Sequence, residues 1–442
     1  MKIKSNPIQK PLKGSVEIPG DKSISHRSLI IPSISKGKSI ISNILESEDV
    51  SNTLKALKLL NIKIVKKNKK IIIYGKGFKS LKKPNKKLYF GNSGTTARLM
   101  TGLLAGQNFN TKITGDKSLL KRPMGRIINP LLKMGAKFKS TNKKLPYTIL
   151  GNPNLKKITY RMPVASSQIK SGIILACLNI KGRTKIIESS ITRDHTELML
   201  KNFKANISIV KKNSKKIIII NGTKELKATN INIPGDFSSA SFFIVAGLLI
   251  KGSKILLKKI NLNPTRTGLI KALSKMGANI KISKTKTING EKIGDISVKY
   301  TKLIGCTLNK KIVPTMIDEY PILAIAAANA TSPSKFKGLK ELRVKESNRL
   351  IAIKENLTKF GIKCHIENND MTIYPKKNIN EIKKDIIIDS KKDHRIAMAF
   401  IVFGMLGSKK VIIKDAEFIN TSFPTFIKEF NKIGAKISKW SL

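Results

Sequence analysis

The sequence predicts an α/β protein with two similar domains, each made of three repeated units. Three observations support this prediction: a helix-to-strand fragment recurs along the chain, a helix-opening cluster recurs in step with it, and Ile-rich segments typical of strands accompany both. At 442 residues the chain exceeds one ordinary core, and two domains of about 200 residues each are expected. We expect residues 19–232 to form the first domain, and residues 1–18 with 233–442 to form the second.

The first recurring fragment ends a helix and begins a strand. A Gly or Asn directly after an amphipathic helix can adopt the left-handed conformation that closes the helix. Alternating apolar and polar residues then start a strand. The copies lie at residues 59–64, 133–138, 202–207, 275–280, 359–363 and 432–437.

The second recurring element is a cluster of Gly, Ser or Asp that opens a helix of small apolar residues. Its starts lie roughly 70–80 residues apart, a longer period than that of common solenoids. A six-unit solenoid without a cleft is the alternative, but these clusters carry the chemically versatile residues in five of six copies. The copies begin at Gly20, Gly91, Ala165, Gly235, Asp318 and Lys392.

The formal net charge of +59 raises the possibility of a nucleic-acid-binding protein. However, the excess is mostly Lys scattered over every segment, and aromatic residues, which would stack on bases, make up only 5%. We therefore interpret most of this charge as solvated surface and expect neither a nucleic-acid nor a membrane partner. A gel-shift assay at physiological salt separates the two interpretations.

Cysteine usage and hydropathy predict a cytoplasmic protein. Cys177, Cys306 and Cys364 lie far apart and form no CxxC pair, so neither a disulfide framework nor a zinc site is expected. Residues 1–14 lack the apolar core of a signal peptide. The longest apolar stretch, near residues 242–250, is too short to span a bilayer.

Basic residues beside helix starts are the candidate anion-binding groups of the first half. Lys22 lies where a helix N-terminus favours anions, and Ser23 and Arg27 share one helix face. The Gly-rich turn around Gly94 allows a ligand to approach the backbone, and Arg122 precedes a Pro-fixed segment. A capped helix, a tight turn and a solvated basic loop are the respective alternatives.

Two further segments of the first half offer polar groups at helix starts. Ser166, Ser167 and Gln168 present two hydroxyls and an amide to a ligand. Residues 192–197 read as a capping box with Arg193 at its entrance. The His at position 195 can be a base or a structural residue.

The second half contains carboxylates close to cations. Two carboxylates, Asp318 and Glu319, directly precede an Ala- and Ile-rich helix, where a carboxylate facing a cleft can accept a proton. Lys345 and Arg349 are predicted to share a helix face, with Glu346 three residues before Arg349. A weak surface ion-pair ladder is the alternative. Arg395 opens an almost wholly apolar helix and needs a partner, such as a bound anion.

Taken together, these segments resemble the 3-phosphoshikimate 1-carboxyvinyltransferase (EPSP synthase) family, and in particular its divergent bacterial branch. The resemblance spans essentially the whole chain and implies two domains of βαβαββ repeats, an inside-out α/β barrel arrangement, with the active site in the interdomain cleft. It implies two anionic substrates, no cofactor and no metal, and we expect a monomer. The matching segments are residues 20–27, 91–94, 121–124, 166–168, 343–349 and 393–395.

The resemblance also implies a role for each matching residue. Asp318 would accept the proton of the attacking 5-hydroxyl, and Glu346 and Lys22 are the candidates for protonating the enol carbon and assisting loss of phosphate. The implied ligands of 3-phosphoshikimate are Lys22, Ser23, Arg27, Ser166, Ser167, Gln168, Arg193, Asp318 and Lys345. The implied ligands of phosphoenolpyruvate are Lys22, Gly94, Arg122, Gln168, Arg349 and Arg395.

The chain departs from the family pattern at two positions. Thr421 and Ser422 precede the final Phe-Pro, where many members carry a Lys, and Glu341 stands where some members have Asn. Gly94 leaves space beside the implied phosphoenolpyruvate site, so glyphosate is expected to inhibit by competing there.

Two related proteins are the remaining alternatives. The sister enzymes that transfer enolpyruvyl to UDP-N-acetylglucosamine carry a Cys in the loop before the Arg-Pro, and residues 115–122 contain none. An inactive relative is disfavoured because Lys22, Asp318 and Glu346 are all present.

Overall fold

Six four-stranded sheets organise the chain in the computed structural model, which describes residues 1–212, 215–222, 224–376 and 384–440. The described strands are β1 (Lys2–Ser5), β2 (Lys13–Val16), β3 (Lys36–Ser42), β4 (Lys63–Lys67), β5 (Lys70–Lys76), β6 (Leu88–Tyr89), β7 (Thr111–Thr114), β8 (Lys137–Ser140), β9 (Tyr147–Leu150), β10 (Thr159–Arg161), β11 (Arg183–Glu188), β12 (Ile207–Lys212), β13 (Lys215–Asn221), β14 (Ile231–Asn232), β15 (Lys254–Asn261), β16 (Ile280–Ile288), β17 (Glu291–Lys299), β18 (Thr307–Leu308), β19 (Ser334–Phe336), β20 (Lys363–Glu367), β21 (Asp370–Tyr374), β22 (Ile386–Asp389), β23 (Val411–Lys414) and β24 (Ile437–Trp440).

Helices alternate with these strands. The described α-helices are α1 (Lys22–Ser33), α2 (Glu48–Leu59), α3 (Gly94–Ala105), α4 (Lys117–Lys121), α5 (Gly125–Lys133), α6 (Ser167–Cys177), α7 (His195–Asn202), α8 (Phe237–Leu249), α9 (Gly268–Lys275), α10 (Tyr320–Ala328), α11 (Arg349–Thr358), α12 (His394–Gly404) and α13 (Phe426–Lys432). Short 3-10 helices cover Phe78–Ser80, Lys310–Thr315, Lys340–Val344 and Ala416–Thr421. Within the described residues, no helix combines the length and apolar character needed to cross a membrane.

The chain separates into two compact units, each with its own hydrophobic core. The N unit comprises Gly20–Ile233 and Thr287–Glu291, and the C unit comprises Met1–Pro19, Pro234–Lys286 and Lys292–Leu442. That residues 19–232, and residues 1–18 with 233–442, act as separate domains stays a prediction.

Each unit contains three sheets of one pattern. In every sheet two strands pair in parallel, and the third strand pairs antiparallel to the second. In the N unit the sheet orders are β14-β3-β5-β4, β6-β7-β9-β8 and β10-β11-β13-β12. In the C unit they are β2-β15-β17-β16, β18-β19-β21-β20 and β22-β23-β1-β24. The predicted α/β class with three βαβαββ repeats per unit is confirmed.

Three inner helices fill the middle of each unit: α1, α3 and α6 in the N unit, and α8, α10 and α12 in the C unit. Almost all of their residues are buried, including charged ones such as Arg27 on α1 and Lys170 on α6. Helices α3 and α6 approach closely because Gly102 faces Gly172, and a Cβ on Gly102 would lie 1.9 Å from the Gly172 carbonyl oxygen.

The predicted ends of the outer helices and the predicted starts of the inner helices are confirmed. The residue that closes the outer helix of each repeat has a positive φ, and Lys204 adopts this conformation where the other repeats use Gly or Asn. The six closing residues are Asn61, Gly135, Lys204, Gly277, Gly361 and Gly434. Side-chain caps open five of the six inner helices, from Asp21, Ser93, Ser166, Asp236 and Asp393.

Candidate active site

The first cation of the N unit lies at the start of α1. Asp21 caps this helix through Ile24 N, which makes Lys22 its first residue. Lys22 Nζ lies 3.1 Å from Oδ2 of Asp49, a carboxylate in the first turn of α2. The ion pair therefore fixes a positive charge beside a helix N-terminus, where anions are favoured.

Arg27 lies one turn further along α1 and is only 2% exposed. Its guanidinium donates Nε to Thr196 Oγ1 at 2.6 Å, Nη1 to the Ser23 carbonyl at 2.8 Å and Nη2 to Ser171 Oγ at 2.7 Å. Burial lowers the pKa of Arg27 to about 10, and the positive charge of Arg193 adds to this effect. Because these three acceptors are neutral, a bound anion would stabilise the buried cation.

Two guanidinium groups flank Gly94, the first residue of α3. A Cβ built on Gly94 would lie 2.7 Å from Arg98 Nη1 and 3.0 Å from Arg122 Nη1. Arg122 also donates Nη2 to Asn92 Oδ1, which orients its side chain. Because Gly94 has no side chain, both guanidinium groups can lie close to the start of α3.

The start of α6 joins this cluster through Gln168. Its Oε1 accepts from Arg98 Nη1 at 2.7 Å, and its Nε2 donates to Thr95 Oγ1 at 2.9 Å. Ser166 caps the helix, and Ser167 is its first residue. The structure thus connects Gln168 to the Gly94 cluster by direct hydrogen bonds.

The predicted capping box at residues 192–197 is wrong. Helix α7 begins at His195, and Asp194 provides no side-chain cap. Thr192 donates instead to Glu188 Oε1 at 2.5 Å, because a buried carboxylate at the end of β11 lies within reach. His195 is buried, with Nδ1 2.6 Å from Glu291 Oε1, which favours the structural interpretation of this residue.

In the C unit, one carboxylate lies between two cations. Asp318, two residues before α10, has Oδ1 3.1 Å from Arg349 Nη1 and 3.4 Å from Lys345 Nζ. The side chain of Asp318 is 15% exposed, so it retains access to a ligand. Opposite charges at this distance favour the ionised carboxylate, which is the form that accepts a proton.

Arg349 is 1% exposed and contacts three carboxylates. Besides Asp318, it binds Glu346 Oε2 through Nη2 at 2.6 Å and Asp393 Oδ2 through Nε at 2.8 Å. Burial alone would lower the pKa of Arg349, but Asp393, Glu346 and Asp318 outweigh it and hold the pKa above its ordinary value.

The predicted shared helix face of Lys345 and Arg349 is wrong. Helix α11 begins only at Arg349, with Asn348 as its cap. Lys345 follows the 3-10 helix Lys340–Val344, so Lys345 and Glu346 lie in the connecting loop. The two cations converge through their shared partner Asp318 and not through helical spacing.

Arg395 lies in the first turn of α12, which Asp393 caps. Its Nη1 donates to the Asp318 carbonyl oxygen at 3.3 Å and lies 3.9 Å from Glu319 Oε1. The partner that we expected for Arg395 is therefore provided in part by Asp318 and Glu319, which directly precede α10.

Sequence reasoning named Glu319 beside Asp318 but gave it no separate role, and it did not single out Arg98 or Asp49. Arg98 had a detectable signal, because Arg is scarce beside Lys in this chain and lies four residues after Gly94. Asp49 had no such signal, since its partner Lys22 is 27 residues away in the sequence. Thr421 donates to the Phe418 carbonyl at 2.7 Å, so its hydroxyl serves the local turn.

Each unit thus contains cations near the starts of helices, accompanied by polar donors in the N unit and by carboxylates in the C unit. The N unit contributes Lys22, Arg27, Arg98, Arg122 and Gln168. The C unit contributes a carboxylate held beside guanidinium and ammonium groups. Among the described residues, no group of three or more His, Cys, Asp and Glu side chains is placed to hold a metal ion.

Known proteins resemble this chain over nearly its full length. The family model described as EPSP synthase (3-phosphoshikimate 1-carboxyvinyltransferase) matches residues 7–430. A 3-phosphoshikimate 1-carboxyvinyltransferase of Petrotoga mobilis is 43% identical over 98% of this chain and 99% of its own length. One from Zymomonas mobilis is 43% identical over 96% of this chain and 95% of its own length.

Solved structures agree with the sequence comparison. A structure of EPSP synthase from Acinetobacter baumannii superposes with a TM-score of 0.86 at 40% identity, covering 99% of this chain and 100% of that one. Family match, identity and fold coincide, and the chain belongs to the EPSP synthase (3-phosphoshikimate 1-carboxyvinyltransferase) family.

Proposed function

We propose that this protein transfers the enolpyruvyl group of phosphoenolpyruvate to the 5-hydroxyl of 3-phosphoshikimate. The products are 5-enolpyruvylshikimate 3-phosphate and phosphate, on the shikimate pathway to chorismate and the aromatic amino acids. Membership of the EPSP synthase family supports the reaction. The observation that carries the chemical assignment is the position of Asp318 between Arg349 and Lys345.

The two substrates carry roughly five to six negative charges, from two phosphates and two carboxylates. Placing them side by side requires several fixed cations. In the N unit, Lys22, Arg27 and Arg193 would hold the phosphate of 3-phosphoshikimate. Ser23, Ser166, Ser167 and Gln168 would supply hydrogen bonds to its phosphate and ring hydroxyls, and Lys345 would add a contact from the C unit.

Phosphoenolpyruvate would take the second group of cations. Arg122 beside Gly94 supports this assignment in the N unit, and Arg349 and Arg395 supply it from the C unit. Lys22 and Gln168 would touch both ligands. The carboxylates that now hold Arg349 keep its guanidinium oriented before the substrate arrives.

The reaction then needs only proton transfers. Asp318 takes the proton of the 5-hydroxyl while the hydroxyl oxygen attacks C2 of phosphoenolpyruvate. In the same step Glu346 or Lys22 protonates C3. The tetrahedral intermediate loses a proton from C3 and expels phosphate, which restores the double bond. Carboxylates and an ammonium group are sufficient for these steps.

We further propose that the protein works as a cytoplasmic monomer and that the N unit and C unit are its two domains. The proposed reaction uses neither a metal ion nor an organic cofactor. Size-exclusion chromatography with light scattering tests the monomer, and a molecular mass of a dimer would contradict it.

A phosphate-release assay with both substrates tests the function. We expect release only when 3-phosphoshikimate and phosphoenolpyruvate are both present, and its loss in Asp318→Ala and Lys22→Met. Lys55→Met, at an exposed position on α2, is the matched control for Lys22→Met and should leave the rate unchanged. Undiminished activity of Lys22→Met or Asp318→Ala would refute the assigned roles.

A further inference from the structure

A chain of buried polar side chains joins the starts of the three inner helices of the C unit. Arg266, between β15 and α9, donates Nη2 to Ser238 Oγ at 2.6 Å and to Asp236 Oδ1 at 3.1 Å. Ser238, in the first turn of α8, donates to Oε1 of Glu319, the cap residue of α10. That same oxygen lies 3.9 Å from Nη1 of Arg395, in the first turn of α12.

The direction of this chain is determined by the groups at its ends. A guanidinium only donates hydrogen bonds, and an ionised carboxylate only accepts them. Ser238 has a single hydroxyl proton, and because its oxygen accepts from Arg266, that proton is directed to Glu319. The hydroxyl therefore fixes the position of Glu319 Oε1 relative to α8.

Burial makes this arrangement energetically significant. Glu319 and Arg266 are each 1% exposed, and a buried charge is costly unless it is paired and hydrogen-bonded. Arg395, 7% exposed, is the cation facing Oε1 of Glu319. The backbone carbonyl of Asp318 accepts from the same Nη1 at 3.3 Å, so two consecutive residues hold one guanidinium nitrogen.

We propose that Glu319 is a positioning residue that orients Arg395 for phosphoenolpyruvate, with Ser238 and Arg266 holding Glu319 in place. The proposal rests on the proposed function, in which Arg395 binds phosphoenolpyruvate. Glu319 acts through Arg395 and does not itself touch a substrate. Glu319 and the Asp318 carbonyl both contact Nη1 of Arg395, one of its three guanidinium nitrogens. Because the guanidinium is planar, fixing this one nitrogen also orients the other two.

The neighbouring repeats show why Arg266 is an anchor and not a substrate ligand. Arg122, Arg193 and Arg266 each precede an outer helix of their repeat, namely α5, α7 and α9. Arg266 differs because Asp236 neutralises it and because it is 1% exposed, whereas Arg122 is 8% exposed and lies beside Gly94. At this position of the repeat, Arg266 of the C unit therefore has a structural role.

Steady-state kinetics of Glu319→Gln test the proposal. Gln keeps the side-chain volume and an oxygen that accepts from Ser238, but it removes the charge facing Arg395. We expect the KM for phosphoenolpyruvate to rise about tenfold, as for loss of one charge-assisted contact, with kcat and the KM for 3-phosphoshikimate unchanged. Ser238→Ala, which retains every charge, should raise the same KM by a smaller factor.

Asp295→Asn is the matched control, because Asp295 is a buried carboxylate of the C unit that accepts from Lys259 N at 2.8 Å. It should leave both KM values unchanged. A wild-type KM for phosphoenolpyruvate in both Glu319→Gln and Ser238→Ala would overturn the positioning role while leaving the proposed function intact. If the wild type releases no phosphate, the proposed function fails instead.

Crystal structures of the wild type and Glu319→Gln supply a readout that does not depend on turnover. We expect the Arg395 guanidinium of the variant to leave the Asp318 carbonyl oxygen. An unchanged Arg395 would overturn the proposal even in an inactive protein.

Discussion

Asp318 Oδ1 and Arg349 Nη1 form an ion pair at 3.1 Å, with Lys345 Nζ 3.4 Å from the same oxygen. Two cations on one oxygen keep the carboxylate ionised, and they also bind the anionic substrates in the proposed mechanism. In that mechanism a substrate anion would draw part of this positive charge to itself, which would make the carboxylate a stronger base. Proton acceptance by Asp318 would then be coupled to occupation of the site.

Asp318→Asn tests the role of this oxygen as a base. The amide has the same shape but cannot take a proton, so we expect kcat to fall by roughly 10²–10⁴, the usual contribution of a general base. Neither KM should rise, because removal of a negative charge leaves Lys345 and Arg349 more attractive to anions. Phosphate-release kinetics measure both quantities.

Asp389→Asn is the control for this experiment. Asp389 also pairs with a Lys, at 2.9 Å from Lys391 Nζ, but its side chain is 42% exposed. It should retain wild-type kinetics. A wild-type kcat in Asp318→Asn would assign the proton transfer to another group.

Gly94→Ala tests whether the close approach of Arg98 and Arg122 to Gly94 matters for phosphoenolpyruvate binding. The added methyl would lie 2.7 Å and 3.0 Å from their Nη1 atoms, and both side chains are flexible enough to move aside. We expect a higher KM for phosphoenolpyruvate, an unchanged KM for 3-phosphoshikimate and little loss of stability. Gly125→Ala is the control, because its methyl would meet only Lys143 carbons at 3.5 Å and 3.7 Å.

Glyphosate should inhibit by competing with phosphoenolpyruvate at the same place. Its anionic groups suit the guanidinium groups of Arg98 and Arg122, which lie close to Gly94. When phosphoenolpyruvate is varied at several fixed glyphosate concentrations, the maximal rate should stay constant and the apparent KM for phosphoenolpyruvate should rise. An apparent inhibition constant independent of phosphoenolpyruvate would sink this idea, as would an unaltered constant in Gly94→Ala.

The repeat architecture could be predicted because each unit carries local signals. A closing residue with positive φ and a capping Asp or Ser act within a few residues of the chain. The closing residue recurs in all six repeats, and the side-chain cap recurs in five of them. Lys204 shows the limit of the signal, because tertiary packing imposes a positive φ on a residue type that rarely adopts it.

The detailed contacts of the candidate site could not be predicted, because they join distant parts of the chain. Arg395 and Asp318 are 77 residues apart, and Arg27 and Thr196 are 169 apart. Helical spacing placed Lys345 on α11, whereas a loop carries it. Sequence motifs therefore identified the charged residues, and the fold determined which of them meet.

Acid should destabilise the protein through His26. This ring is buried, with Nδ1 2.8 Å from Thr53 Oγ1, and burial, Lys22 and Arg27 together hold its pKa well below the ordinary value. The unfolded chain therefore takes up a proton first, near pH 6.5, and the folded chain does not. Stability is thus complete above about pH 6.5 and falls on acidification by up to about 1.4 kcal/mol per pH unit, until the folded ring itself protonates.

Urea unfolding of the wild type and His26→Asn between pH 7 and pH 5 measures this effect. The variant should have a flatter dependence of the free energy of unfolding on pH. His365→Asn, which alters an exposed ring on β20, controls for loss of a histidine as such. Equal slopes for wild type and His26→Asn would contradict the prediction.

Removing one partner from a buried ion network next to Arg27 should destabilise the N unit. Lys170 Nζ lies 2.7 Å from Glu197 Oε1 and 3.1 Å from Glu188 Oε2, and Lys216 Nζ lies 3.2 Å from Glu197 Oε1. Burial alone would raise the pKa of Glu197, but Lys170 and Lys216 hold it below the ordinary value. The contribution of Glu197 is therefore present at neutral pH and is lost as the pH falls below the ordinary range of a carboxyl group.

Lys170→Met leaves two buried carboxylates with one cation, so we expect it to cost about 3–5 kcal/mol of unfolding free energy. Adding Glu197→Gln removes the unpaired charge, and the double variant should recover part of that loss. Lys36→Met, which breaks an exposed pair with Glu225 at 3.6 Å, should cost at most about 1 kcal/mol. If the losses of unfolding free energy caused by Lys170→Met and Glu197→Gln instead add in the double variant, the network is not a coupled unit. Because Thr196, next to Glu197, accepts from Arg27, a loosened network should also raise the KM for 3-phosphoshikimate.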